Sequence, residues 1–223
     1  MYIVSLIPAR EGSKGIPKKN LALLDGKPLI YYIIQSSLNS ICHDTFVSSD
    51  GPDILWYSME LGAKVIEQPP IISGDRNSIE EVIAFFTEKV EYDILVLLAP
   101  TSPLIEPKHI NDGIEKILVH GFDSAIGAMG MEKNDILFWD GLVRQPINYE
   151  LKKRGRRQDR EENRYYIETG GLYVTTRKQF LQSKCRAGNN VGFVEIPFWK
   201  HFEVDTQEDL RMIEAIMRGR NGL

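Results

Sequence analysis

Cysteine is nearly absent from this chain, with Cys42 and Cys185 as the only two among 223 residues. They are far apart and form neither a CxxC pair nor a Cys/His cluster, which argues against a disulfide framework or a structural zinc site. No apolar run is long enough to span a membrane, and the N-terminal one is too short for a signal peptide. These absences predict a soluble protein of a reducing cytoplasm, with no membrane partner.

An excess of charge of one sign is also missing, since the formal net charge is −4. That value gives no general attraction to nucleic acid or to an anionic membrane, so an anion site must come from a local cluster of cations. The two familiar phosphate-binding patterns, GxxxxGK[ST] and GxGxxG after a strand, do not occur. A P-loop and a dinucleotide fingerprint are therefore excluded.

A cluster of cations is present near the N-terminus, directly after an apolar run that reads as a buried strand. The eleven residues from Arg10 to Asn20 hold four cations, one anion and two glycines. Glycines let backbone N–H groups converge on an anion, and arginine can fork onto phosphate oxygens. Open α/β sheets hold ligands at the carboxyl ends of their strands. The loop is therefore predicted to cradle a triphosphate, with a solvated basic loop as the alternative.

Strand and helix patterns alternate along most of the chain. The predicted strands cover 2–7, 45–49, 64–66, 94–98, 124–129, 171–175 and 191–196, and the predicted helices cover 29–38, 52–61, 78–90, 107–120 and 207–218. This alternation predicts one three-layer α/β domain over residues 1–223, with a doubly wound, mostly parallel sheet. The pattern breaks at 131–167, a polar and turn-rich segment that we interpret as an excursion from the sheet.

Two acids lie close together near the C-terminus. In an extended segment, alternation places Glu203 and Asp205 on the same face. Such a pair suits Mg²⁺, which prefers oxygen ligands and bridges nucleotide phosphates. Capping of the last helix by Asp205 or Thr206 is the alternative.

The basic loop resembles the first signature of the CMP-sialic acid synthetases, roughly ARxGSKGxxxKN. These acylneuraminate cytidylyltransferases join CTP to a nine-carbon sugar acid. Four later stretches resemble the same family in the correct order. They are the serine that begins the helix at 78, LLAPTSPLI at 97–105 against LLQPTSPLR, RRQD at 156–159 with YIETGGLY at 166–173 against YxENGxxY, and EVD at 203–205 against Asp-x-Asp.

The resemblance implies a nucleotidyltransferase-like fold, Mg²⁺ as cofactor, and CTP and a nonulosonic acid as substrates. It also implies a homodimer whose interface includes the 131–167 excursion.

The resemblance further implies roles for individual residues. The implied catalytic group is Arg10, Lys14, Lys19 and Asp205. The nucleotide-binding group is Ala9, Gly12, Ser13, Asn20, Asp50 and Ser78. The acceptor-binding group is Thr101, Arg157, Gln158, Thr169 and Tyr173, with Arg157 on the acid group, and the metal ligands are Asp205 and Glu203.

The chain departs from the family pattern at several positions. Gln68 stands where the family usually has arginine, Ala99 replaces a glutamine that approaches the sugar, and Ile105 replaces an arginine. Thr169 replaces asparagine and Glu203 replaces aspartate. These departures leave open another sugar acid such as a Kdo-type octulosonate, another nucleotide, or a non-catalytic nucleotide-sensing protein on the same fold.

Two further alternatives concern single stretches. Asp50 can lie near the nucleotide, as the resemblance implies, or cap the helix that follows it. The run at 152–160 has six cations in nine residues, which could contact nucleic acid. Two glutamates follow at once and no nucleic-acid-binding motif accompanies it, so no nucleic-acid partner is expected.

Overall fold

The computed structural model describes residues 1–131, 139–147, 149–153 and 165–220. Within these ranges the strands are β1 Ile3–Pro8, β2 Leu23–Leu24, β3 Lys27–Pro28, β4 Asp44–Ser49, β5 Lys64–Glu67, β6 Ile94–Leu98, β7 Ser124–Met131, β8 Trp139–Asp140, β9 Gln145–Pro146, β10 Tyr165–Thr176 and β11 Val191–Glu195. The helices are α1 Leu29–Leu38, α2 Pro52–Glu60, α3 Ile79–Lys89, α4 Pro107–Leu118, α5 Arg177–Ser183 and α6 Gln207–Arg220. None of the helices in the described part of the chain is long and apolar enough to cross a membrane.

The central sheet has seven strands among the described residues, in the order β11-β7-β10-β6-β1-β4-β5. Strand β1 pairs in parallel with β4 and β6, β4 with β5, and β7 with β11, whereas β10 runs antiparallel to both of its neighbours. The α/β class and the mostly parallel sheet are confirmed. The antiparallel direction of β10 was not predicted. It follows from the connection, because β10 comes after the excursion instead of a crossover helix and can return beside β7.

Helices cover both faces of the sheet. Along β1, Ile3 and Ile7 pack on one face while Val4 and Leu6 pack on the other, as the two-residue period of a strand requires. The first face carries α1, α2 and α4, and the second carries α3 together with α5, whose Phe180 is buried. Helix α5 was not predicted from the sequence. Three layers result, as expected.

A third apolar cluster lies at one end of the sheet and joins the two charged segments. Ile16 of the basic loop (residues 10–20) and Val204 of the acidic segment (residues 203–205) are both buried in it, with Ile213 of α6 beside them. Burying side chains of this size stabilises a fold by roughly 1.5–3 kcal/mol each. The basic loop and the acidic segment, which were predicted to hold one ligand, therefore pack in the same apolar cluster.

Candidate active site

The basic loop leaves the carboxyl end of β1 and is fixed at several points by hydrogen bonds. The Ala9 amide donates to the Ser48 carbonyl at 2.8 Å, and Ala9 is buried. The Glu11 amide donates to Asp50 Oδ1 at 2.8 Å, and Asn20 Nδ2 donates to the Arg10 carbonyl at 2.9 Å. These bonds fix the backbone of the loop at three points. Between them, Gly12 is exposed and Ser13 is half-buried.

Of the two roles weighed for Asp50 from the sequence, capping of the following helix is wrong. The residue at the start of α2 in the N-cap position is Gly51, so Asp50 does not cap that helix. Its carboxylate holds the backbone of the basic loop at Glu11 instead. Asp50 thus helps to fix the conformation of the basic loop.

The basic loop and the acidic segment are in direct contact. Lys19 Nζ donates to Asp205 Oδ1 at 2.9 Å and to the Val204 carbonyl at 3.0 Å. A Cβ atom built on Gly15 would lie 2.1 Å from the Asp205 carbonyl oxygen, so the two backbones touch there. Lys19 is only 16% exposed at its side chain, whereas Asp205 is 71% exposed. The lysine is thus pre-positioned, and the carboxylate has room for a further ligand.

The other two predicted cradle cations have a partner that the sequence did not indicate. Arg10 and Lys14 both pair with Asp75, Lys14 at an Nζ–Oδ2 distance of 2.8 Å. Asp75 lies in the loop between β5 and α3. The hydrogen bonds from Lys14 and Arg10 lower the pKa of the Asp75 carboxyl. Arginine and lysine donate to carboxylate and to phosphate oxygens alike, so the Asp75 carboxylate occupies donors that an anionic ligand would also use.

We expect Asp75→Asn to bind CTP about two- to fivefold more tightly, because the side chain would no longer compete for Arg10 and Lys14. Calorimetric titration with CTP measures the change. Asp53→Asn is the matched control: Asp53 pairs with Lys18 at 2.9 Å instead, and its loss should leave CTP affinity unaltered. Weaker CTP binding in Asp75→Asn would show that Asp75 supports the site and does not compete with the ligand.

The acidic segment is anchored by groups on both sides. The Val204 amide donates to the Thr101 carbonyl at 2.8 Å, and Glu203 Oε1 accepts from Ser102 Oγ at 3.2 Å. Just before the segment, Lys200 is buried and forms an ion pair with Glu106. Burial raises the pKa of the Glu203 carboxyl; the Ser102 hydrogen bond opposes this rise and the charge of Asp205 adds to it.

The residues present fit a magnesium ion held jointly with a nucleotide. Among the described residues, no group of three or more His, Cys, Asp or Glu side chains converges as a complete metal site. Mg²⁺ does not need such a cage, because it is commonly bound by one or two carboxylates with phosphate oxygens and waters completing the shell. Asp205 and Glu203 supply two carboxylates beside the cradle, which matches that donor set.

A cavity of about 250 Å³ opens next to the acidic segment, at the carboxyl ends of β1 and β6. Its lining is Pro8, Ile79, Leu97, Leu98, Ala99, Pro100, Gly170, Tyr173, Arg186 and Glu203. Gly170 has a φ of +73°, and a Cβ there would lie 2.7 Å from Glu203 Oε1, so glycine suits both the backbone and the close approach. The cavity therefore lies where open α/β sheets usually bind ligands.

The predicted acceptor residues lie in different places. Tyr173 lines the cavity and its phenol donates to Glu168. The Thr169 hydroxyl donates to the Gly127 carbonyl at 2.9 Å, inside the sheet, and Thr101 contributes its carbonyl to the acidic segment. Arg157 and Gln158 are outside the described residues. Arg186 is a cavity residue that the sequence analysis missed, since a single arginine in a loop carries no pattern.

The loop before α3 holds the remaining predicted residue. Ser78 is the N-cap of α3, where its Oγ accepts from the Glu81 amide at 3.3 Å. Gln68 is buried, donates through Nε2 to the Ile72 carbonyl at 2.8 Å and accepts from Ser48 Oγ at 3.2 Å. The amide that replaces the family's arginine thus fixes the loop that carries Asp75.

Comparisons with known proteins identify the family of this chain. The family model described as cytidylyltransferase matches residues 4–216. N-acylneuraminate cytidylyltransferase B of Danio rerio is 33% identical over 92% of this chain and 48% of its own length. CMP-N,N'-diacetyllegionaminic acid synthase of Legionella pneumophila is 32% identical over 82% of each chain.

A solved structure shares the fold. A CMP:2-keto-3-deoxy-manno-octonic acid synthetase complexed with CTP covers 99% of this chain, and the chain covers 100% of it, at a TM-score of 0.75 and 22% identity. The chain spans about half the length of the first curated relatives it matches. From the family model and the identity to these relatives, the chain belongs to the cytidylyltransferase family.

Proposed function

We propose that the protein transfers CMP from CTP to the anomeric hydroxyl of a nonulosonic acid and releases pyrophosphate. The observation that carries this proposal is the contact of Lys19 with Asp205 beside the cavity, because it joins a cation cradle, a carboxylate pair and an acceptor pocket in one place. The relatives named N-acylneuraminate cytidylyltransferase and CMP-N,N'-diacetyllegionaminic acid synthase support the choice of nucleotide and of acid.

The side chains act by positioning and by neutralising charge, which is how proteins accelerate most phosphorus transfers. Arg10 and Lys14 bind the triphosphate once they leave Asp75. Lys19 contacts Asp205 and neutralises the negative charge that develops as pyrophosphate leaves the α-phosphorus of CTP. Bound Mg²⁺ would be held by Asp205 and Glu203 and would supply further charge neutralisation at the phosphate oxygens.

The acceptor occupies the cavity beside Glu203, with Tyr173 in its wall. We assign its carboxylate to Arg157 and Gln158 of the excursion, because arginine forks suit a carboxylate. The short side chain at Ala99 leaves space where the family has a glutamine. This space is a reason to test acids other than ordinary sialic acid.

We further propose a cytoplasmic homodimer joined through the excursion. The hairpin of β8 and β9 leaves Leu142 95% exposed, with Val143 and Ile147 also exposed. An apolar group of this kind is typical of an interaction site. Cys42 and Cys185 are free, which fits a reducing compartment.

The test is pyrophosphate release by the full chain with Mg²⁺, using each of the four nucleoside triphosphates against a panel of sugar acids. The panel holds N-acetylneuraminate, N,N'-diacetyllegionaminate and a Kdo-type octulosonate. We expect release with CTP and a nonulosonic acid. Release only with the octulosonate, or only with another nucleotide, would replace the proposed substrate, and CTP binding without release for any pair would favour a nucleotide sensor.

A further inference from the structure

Arg186 lines the cavity, and the proposed reaction gives it no task. It lies in the loop between α5 and β11, which is held on its C-terminal side. Gln179 Nε2 donates to the Ala187 carbonyl at 3.2 Å, and the Gly188 amide donates to Ser124 Oγ at 2.8 Å. The position of Arg186 is therefore set by the fold.

The guanidinium group is oriented by two side chains. Its Cζ lies 4.4 Å from the centroid of the Tyr173 ring, and Nη1 donates to Glu80 Oε1 at 2.5 Å. The Nη2 atom is 3.5 Å from the Tyr173 oxygen, at the limit of a hydrogen bond. Nε is buried and has no hydrogen-bond partner in the described parts of the chain. A guanidinium has five N–H donors, so part of its capacity is left for a ligand.

The surroundings of Arg186 suit a neutral oxygen better than an anion. Glu80 already neutralises the guanidinium, and Glu203 lines the same cavity. A third carboxylate, Glu168, accepts a hydrogen bond from the Tyr173 phenol beside the guanidinium. A ligand carboxylate would meet this negative charge. An uncharged carbonyl oxygen gains a hydrogen bond without that repulsion.

The rest of the wall suits an alkyl group. Ile79, Leu97, Leu98 and Ala99 provide an apolar surface next to Arg186. A substituent that combines a neutral carbonyl oxygen with a short alkyl end fits both features, and an acylamido group has this composition.

We propose that Arg186 is a specificity-determining residue that donates to the carbonyl oxygen of an N-acyl substituent on the acceptor, whose alkyl end packs on the apolar wall. This inference rests on the proposed function, since it concerns the acceptor of that reaction. The acceptor's carboxylate is still assigned to Arg157 and Gln158. Selection for an N-acylated acid follows, because an acceptor with a hydroxyl in place of the acylamido group does not reach the arginine.

The test compares two acceptors in wild type and Arg186→Met. One is N-acetylneuraminate and the other is its analogue with a hydroxyl in place of the acetamido group. We expect KM for N-acetylneuraminate to rise about tenfold in Arg186→Met, the effect of losing one good hydrogen bond. KM for the analogue, KM for CTP and kcat should change by less than about twofold. An equal rise for both acceptors, or no rise for either, overturns the inference.

A matched arginine controls for loss of packing. Arg177 also stacks on a tyrosine, with Cζ 5.4 Å from the Tyr92 centroid, and pairs with Glu91 at 2.7 Å. It lies at the opposite end of β10, so Arg177→Met should leave acceptor selectivity unaltered. If Arg186→Met fails to fold, Arg186→Lys decides the question: it keeps a cation for Glu80 but loses the planar fork. Unchanged selectivity in that variant overturns the inference.

Calorimetric titration of both acceptors into the wild-type protein separates this inference from the proposed function. Preferential binding of N-acetylneuraminate without pyrophosphate release would end the proposed function and leave the role of Arg186 standing. Equal binding of the two acceptors, or no binding of either, would end the role of Arg186, whatever the turnover.

Discussion

Replacing Lys19 by alanine is expected to lower kcat/KM for CTP by about 100- to 1,000-fold, the usual effect of removing one pre-positioned group that stabilises developing charge. Lys19 is mostly buried, and its ammonium is held by Asp205 and by the Val204 carbonyl, so its position is set before a ligand arrives. Its loss would also leave Asp205 without a cation. Initial rates of pyrophosphate release at saturating acceptor and varied CTP measure the change.

The neighbouring lysine provides the matched control. Lys18 carries the same charge one residue away, but it pairs with Asp53 and is 59% exposed. Its φ of 49° lies in the left-handed region, which asparagine tolerates, so Lys18→Asn removes the charge without backbone strain. We expect less than a threefold loss in this variant. Turnover of Lys19→Ala within a few-fold of wild type would show that the cradle has been assigned wrongly.

Gly15→Ala is expected to lower kcat/KM by about 100-fold or more without changing any charge. The added methyl group would lie 2.1 Å from the Asp205 carbonyl oxygen, and neither atom belongs to a flexible side chain. The basic loop and the acidic segment must therefore separate. A displacement of about 1 Å between catalytic groups can cost a factor of 100 in rate. Overpacking of this kind should also reduce the free energy of unfolding by roughly 1–3 kcal/mol.

Gly12 in the same loop shows whether the effect on stability is specific. A methyl group at Gly12 meets no atom within 4 Å, and its φ lies outside the left-handed region. Thermal unfolding of Gly12→Ala should match wild type, while Gly15→Ala melts lower. Full activity in Gly15→Ala would mean that catalysis does not need the contact between the two segments.

Much of the fold could be predicted because its signals are local. Apolar runs marked the strands β1, β4 and β6, and the apolar period of α1 gave its bounds at Leu29–Leu38. Strand direction is not a local property, which is why the antiparallel β10 was missed. Helix α5 was missed because only seven residues form it and one apolar residue, Phe180, is buried.

The contact between the basic loop and the acidic segment could be predicted because both segments carry dense motifs. Lys19 and Asp205 are 186 positions apart, yet each stands in a recognisable stretch, and the ends of parallel strands meet at one edge. Asp75 was not recognised because the loop around it has no periodic pattern. Arg186 was not recognised because its partner Glu80 is 106 positions away and nothing local marks the pair.

In the proposed reaction, the N-terminal cations and the C-terminal acids hold one metal–nucleotide complex. Calorimetric titration of CTP with and without Mg²⁺, in wild type and in Asp205→Asn, tests it most directly, with the exposed acid variant Glu208→Gln as control. We predict that Mg²⁺ strengthens CTP binding in wild type and Glu208→Gln, and that Asp205→Asn loses most of this gain. The same gain in Asp205→Asn as in wild type would contradict the claim.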